Sequence, residues 1–149
     1  MRILLVEDNQ LKREKIKDFI ISRWDCEVEE ALSYNTAIAF ARKISFDFII
    51  LDMSMPTFDR TENDMGGRFR VFGGKEIAMK LEKFGMLPPF VVVTGYSEFK
   101  DESGKLDLVQ IGDLLKGIGS QFLGVIPFES SNSEWKESLV KVFEDNLID

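Results

Sequence analysis

Three acidic side chains stand directly after short apolar runs. Glu7 and Asp8 follow the run at 2–6, and Asp52 follows the run at 46–51. Met53-Ser54-Met55-Pro56 comes next, and two further runs end in Thr94-Gly95 and in Ile126-Pro127-Phe128. Carboxylates gathered a few ångströms apart repel strongly where water is scarce, so they stay ionised together only with a cation among them. The chain has no histidine and a single cysteine, Cys26, which reads as a core residue. Those counts exclude Ser-His and Cys-His catalysis, histidine-ligated metals, intrachain disulfides and Cys-rich zinc modules. An all-oxygen site suits a hard divalent ion, Mg2+ foremost. A carboxylate beside such an ion and a hydroxyl can attack phosphorus in line, while the metal offsets the charge on the phosphoryl oxygens. Each residue also has a plainer use: Asp8 or Asn9 as the N-cap of a first helix, Asp52 in a capped turn.

The elements that must position these groups follow from periodicity. The runs at 2–6, 46–51, 90–94 and 122–126 are apolar without alternation, as strands covered on both faces are. The segment 26–32 alternates and carries three glutamates, which suits an edge strand with one wet face. Ile16, Phe19, Ile20 and Trp24 make one helical stripe; Ala37, Phe40, Ala41 and Ile44 make a second. Ile77, Leu81 and Phe84 mark a third helix, and 106–118 reads as a fourth, interrupted by Gly112 and Gly117. Trp135, Leu139, Val142 and Phe143 mark the last, with Ser131 and Glu134 as its capping box. The order is βα five times over, which right-handed crossovers wind into an α/β parallel sheet with helices on both faces. Ligands of such sheets bind beyond the carboxyl ends of the strands. The acidic residues stand at those ends.

Size and charge narrow the partners. With 149 residues and 44% hydrophobic content the chain reads as one domain, 1–149, with no separate output domain. Nineteen basic against twenty-six acidic residues leave a net charge of −7, which disfavours general binding of nucleic acid or anionic membranes. The N-terminus reaches Glu7 after too short an apolar run for a signal peptide, and nothing approaches the ~18 apolar residues of a membrane span. A cytoplasmic location is expected, in keeping with the single thiol.

MRILLVEDN, FDFIILDMSMP and VVVTG, with Gly119 ahead of the last strand and Pro127-Phe128 after it, resemble the receiver domains of two-component response regulators along essentially the whole chain. The resemblance implies a flavodoxin-like doubly wound fold, (βα)5, with strand order 2-1-3-4-5. It implies Asp52 as phosphoacceptor, Asp8 as a direct Mg2+ ligand with Glu7 assisting through water, and the backbone carbonyl of Ser54 completing the ligands. It makes the Thr94 hydroxyl the switch group that bonds the phosphoryl oxygens. A histidine kinase or phosphotransfer protein would supply the phosphoryl group, an unidentified downstream protein would read it, and a homodimer is possible. Any enzymatic activity would be confined to self-phosphorylation and hydrolysis of the aspartyl phosphate.

Two output parts of that pattern are missing. Receivers carry a lysine before the last proline, where this chain has Ile126; the loss of such a charge-assisted bond weakens phosphoryl stabilisation roughly tenfold to a hundredfold. Lys100 and Lys105 are the candidates to reach across instead. The aromatic switch position holds Leu123, with Phe122 on the opposite face. Ile126→Lys is expected to strengthen binding of a phosphoryl mimic. An insertion at 57–74 carries two Gly-Gly pairs without P-loop spacing, basic residues that nearly balance its acidic ones, and the apolar Phe58, Phe69, Val71 and Phe72, which could form a lid or a partner surface or pack within the loop. The leading reading is a stand-alone, Mg2+-dependent phosphoacceptor receiver. The alternative is a pseudo-receiver, an interaction module that phosphorylation does not regulate. A dehalogenase-type phosphatase would need aspartate where Ser54 stands, and the EDNQ after strand one repels the phosphate that a flavodoxin-like cofactor site must cradle.

Overall fold

The apolar run at 2–6 forms strand β1 (Arg2–Val6). Asn9 then caps helix α1 (Gln10–Arg23), its Oδ1 accepting the Lys12 backbone N–H at 3.0 Å, so the cap falls to Asn9 and leaves the Asp8 carboxylate free for other partners. In chain order there follow β2 (Glu27–Ala31), α2 (Tyr34–Lys43), β3 (Phe48–Leu51), β4 (Met55–Pro56), β5 (Phe69–Arg70), α3 (Gly73–Lys83), β6 (Phe90–Thr94), β7 (Glu98–Asp101), β8 (Gly104–Asp107), α4 (Leu108–Lys116), β9 (Phe122–Pro127) and α5 (Glu134–Asn146). The structure, a computed structural model, describes residues 1–148; Asp149 lies outside the described residues.

β2, β1, β3, β6 and β9 pair in that order as one parallel sheet, which is 2-1-3-4-5 among its five strands. Alternate residues of each central strand enter opposite apolar layers, which explains why the runs lack polar positions. Ile3, Leu5, Phe48, Ile50, Val91 and Val93 pack against Ile16 and Ile20 of α1 and Trp135, Leu139 and Phe143 of α5. Leu4, Val6, Ile49, Leu51, Phe90 and Val92 pack against α2, α3 and α4. Each such side chain, fully buried, contributes about 1.5–3 kcal/mol. No helix among the described residues is long and apolar enough to cross a membrane.

The structure departs from the sequence reading in five places. The helix expected from 106 starts at Leu108, because residues 104–107 pair with β7 as an antiparallel hairpin. Lys100 and Lys105 face each other across that hairpin, Lys105 pairing with Glu98 at 3.3 Å, and neither lines the acidic pocket. Ser131 forms no capping box with Glu134; Asn132 Oδ1 accepts the Glu134 N–H at 3.1 Å instead. Phe84 is exposed rather than part of the α3 stripe.

The fifth departure concerns β9. Its register against β6 slips between Phe90↔Phe122 and Val92↔Val125, with Gly124 at a φ of 138° inside the irregularity. Leu123 and Ile126 therefore both face the α1/α5 layer, while Phe122 and Val125 face the other. Ile126 is buried in that layer and is no part of the pocket wall, so the premise behind the expected effect of Ile126→Lys on mimic binding, a side chain facing the pocket, is not met.

Within the insertion, β4 and β5 form a short antiparallel ladder, and the turn between them uses Gly66 and Gly67 at positive φ. The second glycine pair opens α3. A Cβ on Gly74 would lie 2.5 Å from the Asp52 carbonyl oxygen and 2.5 Å from Leu51 Cδ1, so only glycine lets α3 start this close to the end of β3.

Candidate functional site

Register brings the acidic residues together. Val6 pairs with Leu51, and the Asp52 N–H donates to the Val6 carbonyl at 3.1 Å, so Glu7 and Asp52 leave adjacent strands at the same level. Both are buried. Asp52 Oδ1 accepts the Met53 N–H at 2.7 Å, and Glu7 Oε2 accepts the Asn9 N–H at 3.1 Å. The cation that such a pair demands is Lys12, which reaches in from the first turn of α1. Its Nζ donates to Asp52 Oδ2 at 3.0 Å and to the Val93 carbonyl at 2.7 Å, and it lies 2.6 Å from Glu7 Oε1. Glu7 Oε1 is buried against that charge. The ring of Phe128 lies 5.7 Å from the ammonium and adds a cation–π contact.

Electrostatics follow from burial. Loss of water pushes the Glu7 carboxyl up to about 7, over the opposing pull of Lys12 and with the repulsion of Asp52 added. Asp8 is also raised by burial, against the pull of Arg60. Arg60 Nη1 meets Asp8 Oδ2 at 3.0 Å from the insertion. Its neighbour Asp59 is fixed to the start of α2, where Oδ1 accepts the Ser33 and Thr36 hydroxyls at 2.5 Å each. Val71 and Phe72 pack on the core, Phe58 and Phe69 are exposed, and Phe69 joins the pocket wall.

Glu7, Asp8, Lys12, Asp52, Ser54 and Arg60 line one pocket of about 510 Å3, open at a rim that includes Leu11, Phe69 and Tyr96. Ser54 is held there by a bond from its hydroxyl to the Val71 carbonyl at 2.6 Å. Thr94 sits buried at the end of the neighbouring strand, its Oγ1 accepting the Tyr96 N–H at 3.2 Å, and is no part of the wall. Among the described residues no three acidic, histidine or cysteine side chains form a ready-made metal cage. The donor chemistry nevertheless fits a hard divalent ion: every candidate ligand is oxygen, and Asp8 is reachable from solvent at 19% side-chain exposure.

Residues 3–121 match the family described as response regulator receiver domain. The chain belongs to that family. This receiver is 28% identical over 147 residues to the Detocs response regulatory protein DtcB of Enterobacter cloacae, covering 95% of this chain and 97% of that one. It is 26% identical over 145 residues to the uncharacterized protein y4jR of Sinorhizobium fredii, covering 93% and 94%. In fold it is similar to chemotaxis protein CheY4 of Vibrio cholerae, with TM-score 0.63, 22% identity and 98% of both chains covered. It is similar also to TrrA of Thermotoga maritima, solved in complex with Mg2+-BeF, with TM-score 0.62, 21% identity, 95% of this chain and 97% of that chain covered.

The family match stops at 121, one residue before β9, the strand that carries Leu123 and Ile126. Sequence reasoning about this receiver missed Lys12. The signal was present: Lys12 lies four residues before Ile16 and eight before Ile20, so it extends the buried stripe of α1 by one turn toward the strand ends.

Proposed function

We propose that this receiver accepts a phosphoryl group on Asp52 in a Mg2+-dependent phosphorelay and signals through protein–protein contacts in the cytoplasm. One observation carries the reading: the Asp52 carboxylate ends β3 on the wall of an open pocket, with one oxygen held by a backbone N–H and the other 3.0 Å from a buried ammonium. That arrangement orients a nucleophile and places positive charge where phosphoryl oxygens would gather. Asp8, Asp52 and the Ser54 backbone carbonyl, with Glu7 assisting, would hold Mg2+, which when bound supplies charge neutralisation for the phosphoryl oxygens. TrrA, a protein of the same fold, was solved with Mg2+ and a beryllofluoride group, which supports the assignment. The donor would be a histidine kinase or phosphotransfer protein, entering past Leu11, Phe69 and Tyr96 at the rim. Thr94 would act as the switch hydroxyl from the end of β6, the strand next to β3.

A second reading, the pseudo-receiver, draws on Ile126 in the core and on the carboxylates being already paired with Lys12 and Arg60. Incubation with Mg2+ and a small acyl phosphate separates the two. Intact mass should rise by one phosphoryl group in the wild type and remain unchanged in Asp52→Ala. No mass gain and no bound beryllofluoride in the wild type would reject the phosphoacceptor and leave the interaction module.

A further inference from the structure

Lysine is among the residues least often buried, and a lysine placed on the apolar stripe of a helix needs a reason. Lys12 is 8% exposed and belongs to α1, whose other buried residues are Ile16 and Ile20. Its ammonium is held from three strands at once: near Glu7 after β1, by Asp52 after β3 and by the Val93 carbonyl in β6. Two of those anchors, Glu7 and Val93, survive any modification of Asp52. The third belongs to the carboxylate at which, on the reading above, the phosphoryl group arrives. At the end of β9 the side chain that enters the same α1/α5 layer is Ile126, which offers no charge. Ile126 also sits beside Val93 in the sheet register, so the strand-end site and the Lys12 anchor are neighbours.

We infer that Lys12 is the phosphoryl-contacting cation of this protein, delivered by helix α1 rather than by the last strand. The inference rests on the phosphoacceptor reading of Asp52. In the step itself, an Asp52 carboxylate oxygen forms a bond to phosphorus as the bond to the donor's leaving group breaks, and the electron pair departs with that group. Lys12 keeps its protons. Its N–H now directed at Asp52 Oδ2 turns to a phosphoryl oxygen, where charge of about −1.5 to −2 replaces a single carboxylate charge. Glu7 and the Val93 carbonyl hold the ammonium in place throughout, so the cation is pre-positioned and no long side chain has to be ordered when phosphate enters.

The test uses the full chain with Mg2+ and beryllofluoride. Lys12→Met and Lys12→Gln should bind beryllofluoride about tenfold to a hundredfold more weakly than the wild type, the range expected for one charge-assisted bond. In wild-type protein labelled with 15N-lysine, the Lys12 Nζ resonance should shift when beryllofluoride binds. That second measurement needs no variant and decides the matter if the substitutions unfold the protein. Wild-type binding with an unshifted Lys12 signal, or with unchanged affinity in folded variants, overturns the role of Lys12 and leaves the phosphoacceptor standing. No wild-type binding removes both.

Discussion

Lys12 Nζ and Asp52 Oδ2 share a buried hydrogen bond of 3.0 Å across a separation of forty residues. The same nitrogen bonds the Val93 carbonyl at 2.7 Å, so one side chain of α1 fastens the ends of β3 and β6 and lies against Glu7 at the end of β1. Taking an ammonium out of water costs several kcal/mol, and two carboxylates and a carbonyl offset that cost only while all remain in place. The helix is thereby tied to the chemistry of the strand ends.

The Glu7 carboxyl makes stability depend on pH. Its folded value of about 7 lies above the ordinary 4.5, so the folded protein keeps a proton that the unfolded chain releases. The stabilisation from that proton is complete below pH 4.5 and is lost as pH rises through about 7. Thermal melts in metal-free buffer should show wild type losing stability on the order of 3 kcal/mol across that window, and Glu7→Gln losing much less. Equal slopes for the two proteins would contradict the burial argument.

Ile126→Lys should cost about 2–5 kcal/mol, because it places an ammonium among Phe128, Trp135 and the strand residues of the α1/α5 layer with no carboxylate assigned to it. Urea denaturation gives the number directly. A change within about 0.5 kcal/mol would mean that the new side chain escapes the core.

Gly74→Ala sets two effects against each other. Alanine favours a helix over glycine by about 1 kcal/mol. Here its Cβ would lie 2.5 Å from the Asp52 carbonyl oxygen, a backbone atom that cannot step aside cheaply. Overpacking of this kind costs about 1–3 kcal/mol or more, and it wins. Chemical denaturation should find the variant less stable than the wild type by about 1–2 kcal/mol; a more stable variant would show that α3 can draw back freely.

The parts of the fold that could be read from the chain were those in which burial leaves a periodic trace. The stretches 3–6, 48–51 and 90–93 are apolar throughout because both faces of those strands are covered, and the ends of the first two led directly to Glu7, Asp8 and Asp52. The β7–β8 hairpin left no such trace, since only Phe99 of its residues is buried and the remainder read as loop or helix. The facing of Ile126 depended on a one-residue slip that no alternation pattern records. Lys12 was hidden by its chemistry: a lysine near a helix start is by default solvent-facing, and only tertiary contacts with distant strands overturn that default.

Asp59 and Arg60 are consecutive, yet they fasten different parts of the molecule. Asp59 grips two hydroxyls at the start of α2, and Arg60 closes on Asp8 at the mouth of the pocket. The first attachment has short bonds to two donors; the second involves an arginine that is 48% exposed, worth at most about 1 kcal/mol. Anything that draws Asp8 away from Arg60 therefore breaks the weaker of the two attachments and leaves the grip of Asp59 on α2 in place.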